Sequence, residues 1–118
     1  MTDLVAEFNA EALRHGTDIS LVSNDVELHY TIRKLSERLL ITPTFDILVN
    51  LSQCYSTVLT VLDLSQCRVL SSLELTFIGF VLTQTRFHGG KIRIVCPSAV
   101  NRRALEMVGF DRLAELAS

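Results

Sequence analysis

The sequence predicts one α/β domain that is built around parallel strands. Two apolar, β-rich segments, at 57–64 and 91–96, are each followed by a segment whose apolar residues have helical spacing. Strands that are joined by such a crossover pair in parallel. The 118 residues, 48% hydrophobic and 20% charged, are enough for one core. We therefore expect a single domain over 1–118, with an N-terminal helix or arm over 1–16 and the core over 17–116.

The chain begins with a predicted helix and a predicted hairpin. Apolar residues recur with helical spacing over 3–15, which favours a short amphipathic helix. Segments 18–22 and 26–32 then alternate between apolar and polar residues on either side of the turn sequence 23–25. Two alternating segments around a short polar turn are typical of a β-hairpin.

A second helix is predicted to begin at the Thr42-Pro43 pair. Residues 33–42 before it are consistent with either a helix or a strand. Threonine is a frequent helix cap and proline is favoured at the first helical position, so we expect Thr42 to be the cap and the helix to end near Tyr55.

The first inner strand and its helix follow. Segment 57–64 is nearly continuous in valine and leucine, which indicates a strand that is buried on both faces. A helical pattern then runs from Ser71 or Ser72 to about Phe87, and His88-Gly89-Gly90 ends it.

The last third of the chain predicts a second inner strand and two helices. The strand covers 91–96 and stops at Pro97, which lacks an amide N–H for the ladder. A helix over 98–107 is capped by Ser98 and closed by Gly109. The final segment, 110–118, is predicted to be a short helix.

Composition argues against several classes of function. The net charge of −2 and the pI near 5.9 provide no basic excess for nucleic acid. No apolar run approaches the ~20 residues of a membrane span, and the N-terminus lacks the pattern of a signal peptide, so we expect no membrane insertion. Three cysteines without CxxC spacing predict reduced thiols in a cytoplasmic protein.

No catalytic, metal or cofactor site is predicted. His15, His29 and His88 lack metal-ligand spacing, and exposed or capping roles suit them better. The G-x-S-x-G sequence of serine hydrolases is missing around Ser72. Gly89-Gly90 precedes a strand, whereas phosphate-binding glycines precede a helix. We therefore expect a protein that is not an enzyme.

Ser71 and Ser72 leave two interpretations open. A serine at the start of a helix accepts a hydrogen bond from an amide of the first turn, which is worth about 1 kcal/mol. A phosphate on Ser72 would also be stable there, because the helix N-terminus favours negative charge, and it would change the charge that a partner meets.

Two linked motifs resemble the STAS domain family, of the anti-sigma factor antagonist type. Asp63-Leu64-Ser65, the apolar pair Val69-Leu70 and the segment 71–75 match the family pattern D-L-S-x-x-x-φ-φ-D-S-S-G-L, where φ is apolar. Downstream, the Gly-Gly pair, the strand and the helix that follow are also similar. The matching residues are Pro97, Val100, Arg103, Leu105, Gly109, Phe110 and Leu113. The resemblance covers about 57–116.

The resemblance implies a fold and a function. The fold is a mixed, mostly parallel sheet of four or five strands with helices packed mainly on one side. The function is non-catalytic binding of a serine-kinase-type anti-sigma factor, with phosphorylation of the antagonist and its reversal by a PP2C-type phosphatase. Ser72 matches the phosphorylated serine, whereas Ser71, Leu73 and Glu74 stand where the family has Asp, Ser or Thr, and Gly.

A second function is also consistent with this resemblance. Some STAS proteins are small cytoplasmic subunits that bind the ATPase of an ABC lipid-transport complex without phosphorylation. The acidic pI and Glu74 at the glycine place are consistent with that alternative. A homodimer through the first hairpin or the N-terminal arm stays open. In either case the candidate partner-binding residues are Ser71, Ser72, Leu73 and Glu74, with Thr42 and Thr44 at the start of the preceding helix.

Overall fold

A computed structural model describes residues 3–118 as one mixed sheet with helices. The helices are α1 (Leu4–Arg14), α2 (Thr42–Cys54), α3 (Ser72–Phe87) and α4 (Ala99–Met107), with short 3-10 turns at Glu37–Leu39 and Phe110–Arg112. The strands are β1 (Asp18–Ser23), β2 (Glu27–Lys34), β3 (Leu59–Asp63), β4 (Lys91–Val95) and β5 (Glu115–Ala117).

The strands lie side by side in chain order. β1 and β2 form an antiparallel hairpin, and β2, β3, β4 and β5 run parallel. At the centre of the sheet, Thr60 of β3 lies opposite Leu28 of β2 and Ile92 of β4. The predicted hairpin and the predicted parallel pairing of the two inner strands are therefore confirmed.

The helices pack on one face of the sheet. The strand residues of the hydrophobic core alternate along β1, β2 and β4, as Leu28, Tyr30 and Ile32 do in β2. They meet apolar helix side chains, and the rings of Phe8, Tyr30 and Phe77 lie with centroids 5.7–6.1 Å apart. The predicted fold class, a mostly parallel sheet with helices mainly on one side, is confirmed.

The prediction of a final helix over 110–118 is wrong. Residues 110–112 form a single 3-10 turn, and Glu115–Ala117 pair with β4 as the fifth strand. The Cys96 amide also donates to the Ala117 carbonyl at 2.8 Å. A free edge of β4 would leave backbone groups unpaired, and pairing with β5 satisfies them.

The start of α2 also differs from the prediction. Ile41 occupies the cap position without a side-chain hydrogen bond, so Thr42 is the first helical residue and Pro43 the second. Proline is tolerated at both positions, because neither amide has an acceptor within the helix. The ambiguous segment before α2 contains a 3-10 turn that Ser36 caps.

Candidate binding site at the carboxyl edge of the sheet

Three helices begin at the edge where the parallel strands end, which we call the carboxyl edge. β2 ends at Lys34 and leads to α2, β3 ends at Asp63 and leads to α3, and β4 ends at Val95 and leads to α4. Binding sites in open α/β sheets are usually formed at this edge, because loops and helix N-termini converge there. Ser71 and Ser72 lie within it.

Ser71 is the cap of α3. Its hydroxyl accepts a hydrogen bond from the Leu73 amide at 3.3 Å, and a Glu74 carboxylate oxygen accepts from the Ser71 amide at 2.7 Å. The Ser71 hydroxyl also donates to this oxygen. This reciprocal arrangement is a capping box, which satisfies amides that the first helical turn leaves unpaired. The interpretation of the serines as a helix cap therefore applies to Ser71.

Ser72 has a different environment. It is the first residue of α3 and is exposed, and its hydroxyl makes no hydrogen bond within residues 3–118. Only its carbonyl is used, as the acceptor for the Thr76 hydroxyl at 2.7 Å. The side chain is therefore not required for the cap, and it is accessible to another molecule at the positive end of the helix dipole.

Glu74 is an internal link rather than a surface group. Its side chain is 3% exposed, and its second carboxylate oxygen accepts from the Leu35 amide at 3.0 Å. The carboxylate thus joins the start of α3 to the end of β2, and it lies in a first helical turn that favours negative charge. Residue 74 has helical backbone geometry, so nothing in this turn requires a glycine there.

The loop before Ser71 is held from the other side by Asn101 of α4. The Asn101 side chain is 1% exposed, accepts from the Leu70 amide at 3.2 Å and donates to the Cys67 carbonyl at 3.0 Å. Sequence analysis missed this residue. The available signal was a polar residue on the buried face of α4, one turn before Leu105.

Asp63 organises the start of the same loop. Its carboxylate accepts from the Ser65 amide at 2.9 Å and from the Ser65 hydroxyl at 2.6 Å, and it lies 3.1 Å from Nε2 of His29. Partial burial raises the pKa of the Asp63 carboxyl, but these hydrogen bonds and the neighbouring histidine outweigh it and hold the pKa below its ordinary value.

A groove of about 610 Å³ runs beside the capping box. Arg33, Lys34 and Arg68 contribute positive charge to its lining, and Leu73 contributes apolar surface. Val69, also in the lining, is 70% exposed. An exposed valine among cations beside the start of α3 provides apolar and charged contacts for a protein partner.

The predicted contact residues divide into accessible and buried ones. Ser71, Ser72 and Thr42 are exposed and Leu73 is half-buried, so these four contribute to the surface of the carboxyl edge. Glu74 is buried, and Thr44 is 0% exposed, so neither of these side chains belongs to that surface. The rings of Phe45 and Phe80 pack between α2 and α3 with their centroids 4.7 Å apart.

The other candidates from the sequence have local roles. His15 and His88 follow the last residues of α1 and α3 as C-caps, as the capping interpretation predicts. Across residues 3–118, no group of three His, Cys, Asp or Glu side chains is placed to hold a metal ion. None of the helices in this part of the chain is long and apolar enough to cross a membrane.

The chain matches no protein-family model and no curated protein sequence. It is similar in structure to a proposed anti-sigma factor antagonist from Thermotoga maritima, in a crystal structure with a TM-score of 0.60 and 18% identity over 89% of this chain and 90% of that one. An NMR structure of the same Thermotoga protein has a TM-score of 0.64 and 19% identity over 83% and 78%.

A third similar structure is an anti-sigma factor antagonist from Mycobacterium paratuberculosis, with a TM-score of 0.61 and 17% identity over 85% of this chain and 86% of that one. These identities are low, but the agreement extends over most of each chain. The protein therefore has the STAS fold of anti-sigma factor antagonists, the fold that its sequence motifs resemble.

Proposed function

We propose that the protein is a non-catalytic regulatory module that binds a protein partner through the carboxyl edge. The observation that carries this proposal is the division of roles between the two serines. Ser71 caps α3, whereas Ser72 is exposed with an unused hydroxyl at the position that matches the family phosphoserine. The likeness in fold to anti-sigma factor antagonists supports an anti-sigma-type serine kinase as the partner.

Phosphorylation of Ser72 would be the switch in this proposal. A phosphate at the first position of α3 meets the positive end of the helix dipole, and Arg68 and Lys34 lie in the adjoining groove. The phosphate would add about two negative charges to the surface that binds the kinase, so the complex with the kinase would dissociate. Removal of the phosphate by a PP2C-type phosphatase would allow the complex to form again. Asn101 and Glu74 hold the neighbouring loop in one geometry for both states.

The test is a kinase assay with a matched charge variant. The protein is incubated with a candidate anti-sigma-type kinase and ATP, and mass spectrometry locates the phosphate. We expect phosphate on Ser72 and weaker kinase binding by Ser72→Asp. Thr57→Asp is the control, because Thr57 is exposed at the opposite edge of the sheet. This variant should bind the kinase with the same affinity as the wild type. Unmodified Ser72 together with equal affinity of both variants would refute the switch.

One observation favours the second candidate, an ABC-transport ATPase that binds the same edge without phosphorylation. Glu74 already places a carboxylate in the first turn of α3, and this charge opposes a phosphate two residues away. Two results together would select this function. The wild type binds a purified candidate ATPase and Ser72→Asp does not, and Ser72 carries no phosphate after exposure to a kinase. Binding of neither protein would contradict the proposed surface.

A further inference from the structure

A second groove lies at the opposite edge of the sheet, where the parallel strands begin, which we call the amino edge. This amino-edge groove has a volume of about 730 Å³, within the range of small-molecule sites. It is formed by the end of α3, the start of β4 and the segment between α4 and β5. Its charged lining residues are Arg86, Lys91, Arg93, Arg112 and Glu115.

The charge of the amino-edge groove differs from that of the whole chain. Four of the eleven lysines and arginines line it, beside a single carboxylate, although the chain as a whole carries −2. Within residues 3–118, Arg86, Lys91 and Arg112 form no ion pair. Glu115, which pairs with Arg93, is the single acid in the lining, so the groove keeps a local excess of positive charge.

Arg93 has unused capacity for hydrogen bonding. Its Nη2 donates to one Glu115 carboxylate oxygen at 3.4 Å, whereas its Nε, which is buried and 3.4 Å from the other oxygen, makes no hydrogen bond in the described chain. Arg93 and Lys91 lie two residues apart on β4, so their side chains leave the same face of the sheet about 7 Å from each other.

Arg86 lies on the wall of the groove that α3 forms. It lies in the last turn of α3, and its guanidinium donates to the Leu113 carbonyl at 3.3 Å, which holds it beside the segment that carries Arg112. Arginine guanidinium groups bind phosphate oxygens in pairs of parallel hydrogen bonds, and lysine adds a point charge. Leu59 and Leu113 supply apolar surface in the same lining.

We infer that the amino-edge groove binds a phosphate-bearing anion with at least two negative charges. Arg86, Lys91, Arg93 and Arg112 are the ligand-binding residues. The phosphate can belong to a free small molecule or to the headgroup of an anionic lipid, and the chemistry of recognition is the same. Ser72 lies at the opposite edge of the sheet, so this site is separate from the proposed partner surface.

The experiment uses sodium pyrophosphate as the free anion and phosphatidate-containing vesicles as the headgroup source. Pyrophosphate binding is measured by isothermal titration calorimetry, and vesicle binding by co-sedimentation against neutral phosphatidylcholine vesicles. The variant Lys91→Gln/Arg112→Gln removes two exposed cations of the groove. The matched control, Arg38→Gln/Arg103→Gln, removes two exposed cations outside it. Circular dichroism verifies that both fold, and Arg86→Gln is a second groove variant.

We expect saturable binding of one probe, weakened about tenfold or more in the groove variants and unchanged in the control. If the groove variants lose only pyrophosphate binding, the ligand is a free anion. If they lose only phosphatidate binding, the ligand is a lipid headgroup. Absence of binding to both probes, or equal weakening in the groove and control variants, would overturn the inference. None of these variants changes Ser72, so kinase binding is an independent measurement. A protein that binds the kinase but neither probe would refute the anion site and leave the proposed function intact.

Discussion

At the carboxyl edge, polar side chains are paired with each other, whereas at the amino edge cations lie in an open groove with few partners. Glu74 and Asn101 are buried and use their polar atoms to hold Leu35, Leu70, Ser71 and Cys67. Arg86, Lys91 and Arg112 have no carboxylate partner among residues 3–118. The first arrangement fixes a loop geometry, and the second leaves charge available to a ligand.

This comparison distinguishes residues that maintain a surface from residues that form it. At the carboxyl edge, substitution of Glu74 or Asn101 should change stability, because each leaves buried amides or carbonyls without partners. Substitution of Ser72, or of the exposed cations at the amino edge, should change binding and leave stability nearly unaltered.

The largest expected effect is on thiol reactivity. Cys67 and Cys96, at the carboxyl edge, are 5% and 0% exposed, and burial raises the pKa of both thiols. Cys54 at the end of α2 is exposed. With an aromatic disulfide reagent we expect one fast thiol, with the other two slower by about 100-fold or more, because they react only after local opening.

The fast phase should disappear in Cys54→Ser, and all three wild-type thiols should react rapidly in denaturing urea. Two fast phases in the folded protein would show that the carboxyl edge opens far more easily than its hydrogen bonds indicate.

The second effect is on the free energy of unfolding when the internal link is removed. Glu74→Ala leaves the Leu35 and Ser71 amides without their acceptor, and we expect a loss of about 3 kcal/mol in urea denaturation. Glu106→Ala on the exposed surface of α4 is the matched control, with a change within about 0.5 kcal/mol. Equal stability of the two variants would mean that Glu74 does not join α3 to the end of β2.

A smaller effect separates the two serines. Ser71→Ala removes the cap of α3 and should lower the free energy of unfolding by about 1 kcal/mol. Ser72→Ala removes an unused hydroxyl and should change it by less than about 0.5 kcal/mol. Urea denaturation of both variants measures the difference, and a larger loss for Ser72→Ala would reverse the assignment of roles.

The smallest effect is on acid stability. The pKa of Asp63 is lower in the folded protein than its ordinary value of 3.8, so its contribution to stability is present above pH 3.8 and is lost as the pH falls through the folded pKa. Asp63→Asn should therefore reduce stability at neutral pH and make the acid side of the stability curve shallower. Asp46→Asn, an exposed carboxylate on α2, is the control. Identical pH profiles of the two variants would contradict the role of Asp63.

Local patterns predicted most of the fold. The inner strands, the hairpin and the helices α1, α3 and α4 follow from hydrophobic period, turn residues and caps, which act over a few neighbouring residues. β5 did not follow from them, because three residues are too few to show a period. Glu115–Ala117 form a strand because the edge of β4 offers unpaired backbone groups.

The candidate site was predictable in position but only partly in detail. The serines at the start of α3 and the Asp63 lead-in were visible in the motif, and the division between Ser71 and Ser72 required the geometry of the cap. The role of Glu74 depends on the amide of Leu35, 39 residues away, and that of Asn101 on groups 31 and 34 residues away. Such contacts leave no short-range signal.

The amino-edge groove shows the same limit for charge. Lys91 and Arg93 share β4, whereas Arg86 and Arg112 lie on other elements, and along the chain all four resemble ordinary solvated residues of an acidic protein. The sequence by itself determined the α/β class, the order of the elements as far as α4 and the serine pair, because propensity, period and capping are short-range. Only the tertiary structure decided which serine is free, which carboxylate is buried and where positive charge collects, because these depend on contacts between elements that are distant in the chain.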